Sequence, residues 1–312
     1  MALISLVVPA YNEEAVLTAF HQEVSAEISG LVDEFEFVFV DDGSRDGTAE
    51  IMRGLAARDS RVRAVLLSRN FGHEAAIEAG LRAADGDAVI VMDADLQDGP
   101  EIIPRLIGAW REGAEVVYAV RTGRKEGTVL RAAFSGFYRL ASRVMSIELP
   151  RDAGPFSLMD RQVVNVLNDL PERGRYFPGL RAFAGFRQVP VEAERHERAA
   201  GETKYSLVKR TLGGTNAIFS FSKLPLRLMT FMGFLMAFLA ALGAIWVILG
   251  AILGNATARG WTSVMTVVFF IAAFTFVFMG ILGEYVGKIY DEVRARPNYV
   301  VAEELGREDR RP

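Results

Sequence analysis

The chain has 312 residues, of which 51% are hydrophobic and 24% are charged, but the charges are unevenly distributed. Positions 228–258 form a run of 31 residues without Asp, Glu, Lys or Arg, and positions 260–283 form a second run of 24. Each run is long enough to cross a bilayer as a helix, which needs about 20 apolar residues. A purely soluble protein, a disordered chain and a transporter with many spans are therefore excluded.

The net charge is −4 and the chain has no cysteine. Nothing in this balance indicates nucleic-acid binding, and disulfides, thiolate metal sites and cysteine nucleophiles are excluded. The first nine residues lack a basic segment and end at Pro9. They predict a first strand rather than a signal peptide, so we expect the N-terminal part to remain in the compartment where it is made.

Short apolar runs alternate with amphipathic stretches in the first 120 residues. The runs cover residues 3–8, 36–40, 62–67, 88–92 and 116–120, and the clearest amphipathic stretches cover 13–28 and 48–58. This alternation predicts an α/β domain with a mainly parallel, buried sheet and helices on both faces. Ligands of such domains bind at the carboxyl ends of the strands.

The two uncharged runs predict a helical hairpin in the membrane, with spans at 226–253 and 264–283 and a short link between them. Basic residues flank the hairpin on one side: Lys223, Arg227, Lys288, Arg294 and Arg296. Positive charge favours the cytoplasmic side, so both termini and the N-terminal domain are expected in the cytoplasm, at the inner (plasma) membrane. Residues 127–145 and 204–221 mix basic and aromatic side chains, which favours helices at the membrane surface.

Two carboxylates, Asp93 and Asp95, directly follow the fourth apolar run, and Gln97 is close behind them. A pair of carboxylates at a strand end can share one hard cation with substrate phosphates. A solvated turn is the simpler interpretation of this spacing taken alone. Similar polar loops follow the first two runs, at residues 9–14 and 41–44, which favours one pocket. The sequence has no P-loop motif and no dinucleotide-binding glycine motif.

These motifs, together with Ser68-Arg-Asn-Phe-Gly-His73, resemble the family-2 glycosyltransferases. The similarity is greatest to the branch that uses polyprenyl phosphates, which includes bactoprenol glucosyltransferases and dolichol-phosphate mannose synthases. It extends over nearly the whole chain, including residues 220–227 and 283–290. The resemblance implies a glycosyltransferase-A (Rossmann-like) fold, a nucleotide-sugar donor, Mg²⁺ or Mn²⁺, a polyprenyl-phosphate acceptor and the membrane as partners. It leaves the oligomeric state open, a homo-oligomer included.

The resemblance also implies roles for individual residues. Asp93, Ala94 and Asp95 match the diphosphate and metal site, with Gln97 beside it, and Asp152 is a candidate for an acid-base or positioning role. Arg131 and Ser135 match an acceptor-phosphate pair. The remaining matches are to nucleotide-binding and phosphate-binding positions: Pro9, Tyr11, Glu13, Phe39, Asp41, Arg121, Arg198 and Lys204.

The predicted activity is metal-dependent, inverting sugar transfer to a polyprenyl phosphate on the cytoplasmic face. UDP-glucose is favoured as the donor, and GDP-mannose transfer to a dolichyl-phosphate-like lipid is the alternative. A processive polysaccharide synthase and a non-catalytic membrane scaffold are less favoured alternatives. The expected domains are a catalytic domain at 1–202, an interfacial region at 203–225, two spans within 226–286 and a cytoplasmic tail at 287–312.

Overall fold

The computed structural model describes residues 1–97, 99–121, 153–173, 175–193, 229–236, 238–239, 242, 245 and 260–306. The described residues up to 193 and from 296 onward belong to one compact unit, and those from 229 to 295 belong to a second. The predicted interfacial helices at 127–145 and 204–221 lie outside the described residues.

Eight strands form one sheet in the order β7-β5-β6-β4-β1-β2-β3-β8. The strands are β1 (Leu3–Ala10), β2 (Glu34–Asp41), β3 (Val62–Leu67), β4 (Ala88–Val91), β5 (Val116–Arg121), β6 (Ala153–Asp160), β7 (Gln188–Ala193) and β8 (Val301–Leu305). Strands β1 to β4 pair in parallel, as do β5 and β7, whereas β6 runs antiparallel to β4 and β5, and β8 runs antiparallel to β3. The predicted mainly parallel sheet is confirmed.

The helices of the first unit lie on both faces of this sheet. They are α1 (Leu17–Ile28), α2 (Thr48–Arg58), α3 (His73–Ala83), α4 (Ile103–Arg111), α5 (Arg161–Asp169) and α6 (Phe177–Phe183). In β1, Ile4, Leu6 and Val8 belong to one core cluster with residues of α1, α2 and α4. Val7 points to the opposite face, where it meets Gly80 of α3. Because both faces are covered, the central strands are apolar at nearly every position.

Helix α1 begins at Leu17, later than the predicted start at residue 13. The backbone N–H groups of Val16 and Leu17 donate to the carbonyl of Glu13, so residues 13–16 form a turn before the helix. Asn12 has a left-handed φ of 54°, which turns the chain at the end of β1. The predicted start was too early because Glu14, within this turn, binds the backbone N–H of Gly47 in the loop after β2.

The second unit contains the long helix α7 (Trp261–Arg294) of 34 residues, about 50 Å at 1.5 Å per residue. Large apolar side chains on it are exposed, including Phe276 at 72% and Met279 at 62%. Among the described residues, α7 is the one helix long and apolar enough to cross a membrane. It continues past the predicted end of the second span at residue 283. Residues 229–236 of the predicted first span are helical, but most of that span lies outside the described residues, so the two-helix hairpin stays a prediction.

The chain returns to the first unit after α7. Residues 301–305 form β8 at the edge of the sheet, beside β3. The sequence pattern predicted a tail here and no strand. The first unit is therefore completed by residues that follow the apolar segments in sequence.

Candidate functional site

The carboxyl ends of β3, β2, β1 and β4 lie side by side at one edge of the sheet. Each is followed by a loop whose polar residues belong to the motifs found in the sequence. Since parallel strands point the same way, the four loops gather at this edge. Hydrogen bonds between the loops show how the arrangement is held.

The loops after β1 and β2 bind each other through several backbone groups. The backbone N–H of Asn12 donates to Ser44 Oγ at 2.9 Å, and Asn12 Oδ1 accepts from the N–H of Arg45 at 2.8 Å. Glu14 Oε2 accepts from the N–H of Gly47 at 2.6 Å. These bonds fix Tyr11 and its neighbours at the end of β1, where the sequence predicts a nucleotide site.

Two buried carboxylates end β2 and have different partners. Asp41 accepts from the N–H of Ser44 at 3.1 Å, within its own loop. Asp42 accepts from the N–H groups of Phe71 and Gly72, at 2.7 and 2.9 Å, in the loop after β3. Burial raises the pKa of both carboxyls, although these hydrogen bonds oppose the rise. Asp42 therefore ties the loop after β3 to the end of β2.

The loop after β4 carries the candidate metal ligands. Asp95 Oδ1 accepts from the N–H of Gln97 at 3.2 Å, and Leu96 between them has a left-handed φ of 53°. Asp93 Oδ1 lies 3.5 Å from Nε2 of His73, the first residue of α3. Four loops are thus joined in one series across the edge of the sheet.

The oxygen atoms of the protein at these strand ends suit a hard cation whose coordination shell is completed by oxygens of a bound substrate. No group of three or more His, Cys, Asp or Glu placed to hold a metal ion occurs among the described residues. Asp93 and Asp95 supply two carboxylates, and Mg²⁺ is commonly bound by one or two carboxylates plus phosphate oxygens. The residues present therefore fit a divalent ion that arrives with a phosphate-containing ligand.

The remaining predicted site residues fall into four groups. Pro9 and Ala94 are buried at the same edge, whereas Tyr11 and Glu13 are half-buried. Phe39 is fully buried in the core and stacks on Phe37, with 5.8 Å between ring centroids. Arg121 ends β5. The others lie outside the described residues: Arg131, Ser135, Asp152, Arg198 and Lys204.

Comparisons with known proteins decide the family. Residues 5–167 match the profile of glycosyl transferase family 2. This chain belongs to that family. The Bacillus subtilis protein named uncharacterized glycosyltransferase YkcC is 41% identical over 308 residues, covering 98% of this glycosyltransferase and 95% of that protein.

A second relative supports the branch. The Escherichia coli protein named prophage bactoprenol glucosyl transferase homolog is 38% identical over 299 residues, covering 96% of this glycosyltransferase and 98% of that protein. The resemblance to the polyprenyl-phosphate branch is thereby confirmed. The solved structure of glucosyl-3-phosphoglycerate synthase from Mycobacterium tuberculosis is 23% identical, with a TM-score of 0.47, over 70% of this chain and 78% of that one.

The structure of the glycosyltransferase adds site residues that received no role from the sequence. His73 was part of a motif without a role of its own, yet it lies against Asp93. Its neighbour Glu74 accepts from the N–H of Phe177 at 2.8 Å, and burial raises the pKa of this carboxyl. The first turn of α3 therefore connects the candidate metal site with the start of α6. In the sequence, the only indication of this role was Gly72 followed by the polar residues His73 and Glu74 at the start of a helix.

A buried cation that the sequence did not predict, Arg181, lies in α6. It is fully buried, and its Nη1 lies 3.4 Å from the carbonyl oxygen of Gly154 in β6. Its guanidinium carbon is 5.1 Å from the ring centroid of Tyr118 and 5.9 Å from that of Phe177. Nε and Nη2 have no hydrogen-bond acceptor among the described residues, and burial lowers the pKa of Arg181 to about 10. The burial of Arg181 could not be predicted from the sequence, because the residues of α6 do not indicate which side chain packs against the sheet.

Proposed function

We propose that the protein transfers one sugar from a nucleotide sugar to a polyprenyl phosphate at the cytoplasmic face of the membrane. A UDP-sugar such as UDP-glucose is the proposed donor. The observation that carries this proposal is the pair Asp93 and Asp95 at the end of β4, in a series of loops joined to the ends of β1, β2 and β3. Relatives named bactoprenol glucosyl transferase, alike over nearly the whole chain, support the choice of acceptor and sugar.

The nucleotide is assigned to the ends of β1 and β2. Tyr11 offers a ring against which a base can lie, and Asp41 offers a carboxylate that accepts hydrogen bonds from a base or a ribose. The cross-loop bonds of Asn12 hold both residues before a ligand arrives. Such preorganisation reduces the ordering cost of binding.

Asp93 and Asp95 are assigned to Mg²⁺ or Mn²⁺, with Gln97 as an additional oxygen ligand. When bound, the cation neutralises the charge that develops on the departing diphosphate. Arg121, Arg198 and Lys204 are proposed to add positive charge for the same group. Fixed cations aimed at developing charge are a large contribution to catalysis in group transfer.

The proposed reaction is a single displacement at the anomeric carbon. An oxygen of the acceptor phosphate forms the new bond to this carbon, while the bond to the nucleoside diphosphate breaks and the diphosphate keeps the electron pair. A phosphate monoester has its second pKa near 6, so the attacking oxygen is already ionised at neutral pH. A strong base is therefore not required. Arg131 and Ser135 are proposed to align the acceptor phosphate, and Asp152 to help position it.

The position of β8 supports the proposed topology. Strand β8 follows the apolar segments in sequence and pairs with β3 in the sheet that also contains β1. This pairing favours one compartment for the parts of the chain before and after the apolar segments, which an even number of crossings provides. A single crossing by α7 does not meet this condition, whereas the predicted hairpin does. The flanking basic residues then favour the cytoplasm for both parts.

A donor screen tests the proposal directly. Purified protein in lipid nanodiscs would be given a polyprenyl phosphate, Mg²⁺ or Mn²⁺, and UDP-glucose, UDP-galactose, UDP-N-acetylglucosamine or GDP-mannose, one at a time. We expect a lipid carrying one hexose from UDP-glucose, detected by mass spectrometry, with inverted configuration by NMR. Transfer from GDP-mannose alone would favour the mannosyltransferase alternative. A ladder of sugars would indicate a processive synthase, and no product from any donor would indicate a scaffold.

Cysteine labelling tests the topology, because the natural chain has no cysteine. A cysteine at Ala256, in the predicted link between the spans, should react with an impermeant reagent in intact cells. A matched cysteine at Ala199 should react only after permeabilisation. The reverse pattern would place the catalytic unit outside the cell and would contradict a cytoplasmic nucleotide-sugar donor.

A further inference from the structure

The segment Asn298–Leu305, here called the return segment, is built into the sheet after the long helix α7 ends. Strand β8 pairs with β3 in antiparallel register, with Leu67 opposite Val301 and Ala64 opposite Leu305. The return segment therefore reaches β3 at its carboxyl end, which is the edge that carries the candidate site. From there β8 runs away from the site along β3.

The part of β8 farther from the site is held by ion pairs. Glu303 binds Arg53 of α2 at 2.7 Å, and both side chains are more than 40% exposed. Glu304 lies 3.3 Å from the buried guanidinium of Arg63 in β3. Exposed pairs of the first kind contribute little to stability. Glu303 therefore offers a control position within the same strand.

The part nearer the site binds both sides of the loop after β3. The carbonyl oxygen of Val300 accepts from the N–H of Ser68, the first residue of that loop, at 2.9 Å. Asn298 Nδ2 donates to Glu78 Oε2 in α3 at 2.7 Å. His73 lies between these two anchors in sequence, and it is the residue that faces Asp93.

The anchor on α3 is a buried carboxylate with several partners. The side chain of Glu78 is only 6% exposed, and its oxygens lie 3.2 Å from Arg175 Nε and 3.3 Å from Arg82 Nε. Asn298 adds a neutral donor to the same oxygen that faces Arg175. Buried polar networks of this kind define one arrangement of the groups they join. The position of α3 is thus coupled to a residue beyond the membrane-crossing part of the chain.

We infer that Asn298 is a positioning residue of the transferase, which acts through Glu78 and α3 to hold His73 against Asp93. This inference rests on the proposed function insofar as Asp93 takes the metal and the donor diphosphate. Residues that hold a metal-binding carboxylate in place typically change metal affinity or activity by about 10- to 100-fold when they are removed. The return segment would then be part of the catalytic machinery as well as of the fold.

The test compares Asn298→Ala with Glu303→Ala in full-length protein in nanodiscs. We expect Asn298→Ala to lower kcat and weaken Mn²⁺ binding, measured by electron paramagnetic resonance with UDP present, by about tenfold or more each. Its melting temperature should stay close to that of Glu303→Ala, which should match the wild type in both other readouts. Asn298→Gln keeps the amide donor and should restore most of the activity.

Several outcomes would overturn the inference. If the Asn298→Ala variant folds and has the same kcat and Mn²⁺ affinity as Glu303→Ala, the return segment is only an edge strand. Loss of folding in Asn298→Ala, or a defect that Asn298→Gln shares in full, would make Asn298 a structural residue. Failure of the proposed function is distinguishable, because the wild type itself would then show no sugar transfer and no Mn²⁺ binding that depends on Asp95.

Discussion

Buried charges have different partners in two parts of the sheet. Strands β1 to β4 are here called the parallel half, and strands β5 to β7 with the helix α6 are called the mixed half. In the parallel half, Asp41 and Asp42 are buried, and each accepts backbone N–H groups from a loop at the strand ends. In the mixed half, Arg181 is buried against aromatic rings and a single carbonyl oxygen. A buried charge is costly unless hydrogen bonds replace its water. These two carboxylates of the parallel half are therefore paired without a ligand, whereas Arg181, in the mixed half, has no acceptor for Nε and Nη2 among the described residues.

The largest effect is expected at the boundary between the two halves. Asp95 follows β4, which pairs with β1 of the parallel half and β6 of the mixed half. Asp95→Asn removes the charge of a proposed metal ligand from a partly exposed loop, so we expect turnover below roughly a tenth of wild type at saturating metal, with unchanged folding. Sugar transfer and circular dichroism would be measured together. Greater residual turnover would show that Asp95 is not an essential ligand.

The next effect tests how closely the loops of the parallel half must approach. Gly43 has a left-handed φ of 66°, and a Cβ there would overlap the backbone of Arg69. We expect Gly43→Ala to lower the free energy of unfolding by about 3 kcal/mol, since strain and overlap add. Gly72 also has a positive φ, but a Cβ added to it would meet no neighbouring atom within 4 Å.

Gly72→Ala is thus a control that has backbone strain, at φ 102° and ψ 156°, without overlap. We expect it to cost about 1–2 kcal/mol, less than Gly43→Ala, in urea unfolding. Equal losses in the two variants would show that contact between the loops is not what stabilises the parallel half.

The parallel half was also the part that the sequence predicted best. The bounds of β3 and α2 match the predicted ranges, because a strand buried on both faces is a continuous apolar run. Strands β6 to β8 were not predicted. Strand β6 contains Gly154 and Pro155, and β8 contains Glu303 and Glu304, so neither has a clear strand pattern. Their place in the sheet depends on distant pairing, which local patterns do not reveal.

The candidate site divides in the same way. Asp41, Asp93 and Asp95, which the sequence predicts as site residues, lie at strand ends, where ligands of such sheets bind. Phe39 was assigned to the nucleotide site, but its side chain is in the core. His73, Asn298 and Arg181 received no role, since their importance depends on contacts between residues far apart in the chain. Glu78 and Asn298, for example, are 220 positions apart.

A smaller effect on the free energy of unfolding is expected from two substitutions of Asp42. One removes its hydrogen-bond acceptor, and the other removes only its charge. Asp42→Ala removes the acceptor of two partly buried N–H groups and should cost about 1–3 kcal/mol. Asp42→Asn keeps an acceptor oxygen and should cost less than about 1 kcal/mol at pH 7.

The pH dependence of this pair follows from the pKa of Asp42, which burial raises above its ordinary 3.8. The cost of burying the charge is absent below 3.8 and is fully present above the folded-state pKa. Asp42→Asn lacks this cost at every pH, so its stability relative to wild type should improve between pH 4 and pH 7. If the difference in free energy of unfolding between Asp42→Asn and wild type, measured in urea, is constant across that range, burial of the Asp42 charge does not destabilise the protein.

The smallest effect on stability is expected in the mixed half, from Arg181→Met. Replacing a buried charge by an apolar side chain of similar length removes the cost of desolvation, while it also loses contacts with Tyr118 and Phe177 worth about 1–2 kcal/mol. We therefore expect a free energy of unfolding within about 1 kcal/mol of wild type. Because burial lowers the pKa of Arg181 to about 10, the side chain is charged in both states below that pH, and the small difference should not change between pH 6 and pH 9. A loss of about 3–5 kcal/mol in urea unfolding would instead show that Arg181 is fully paired, and that the two halves of the sheet stabilise buried charge in the same way.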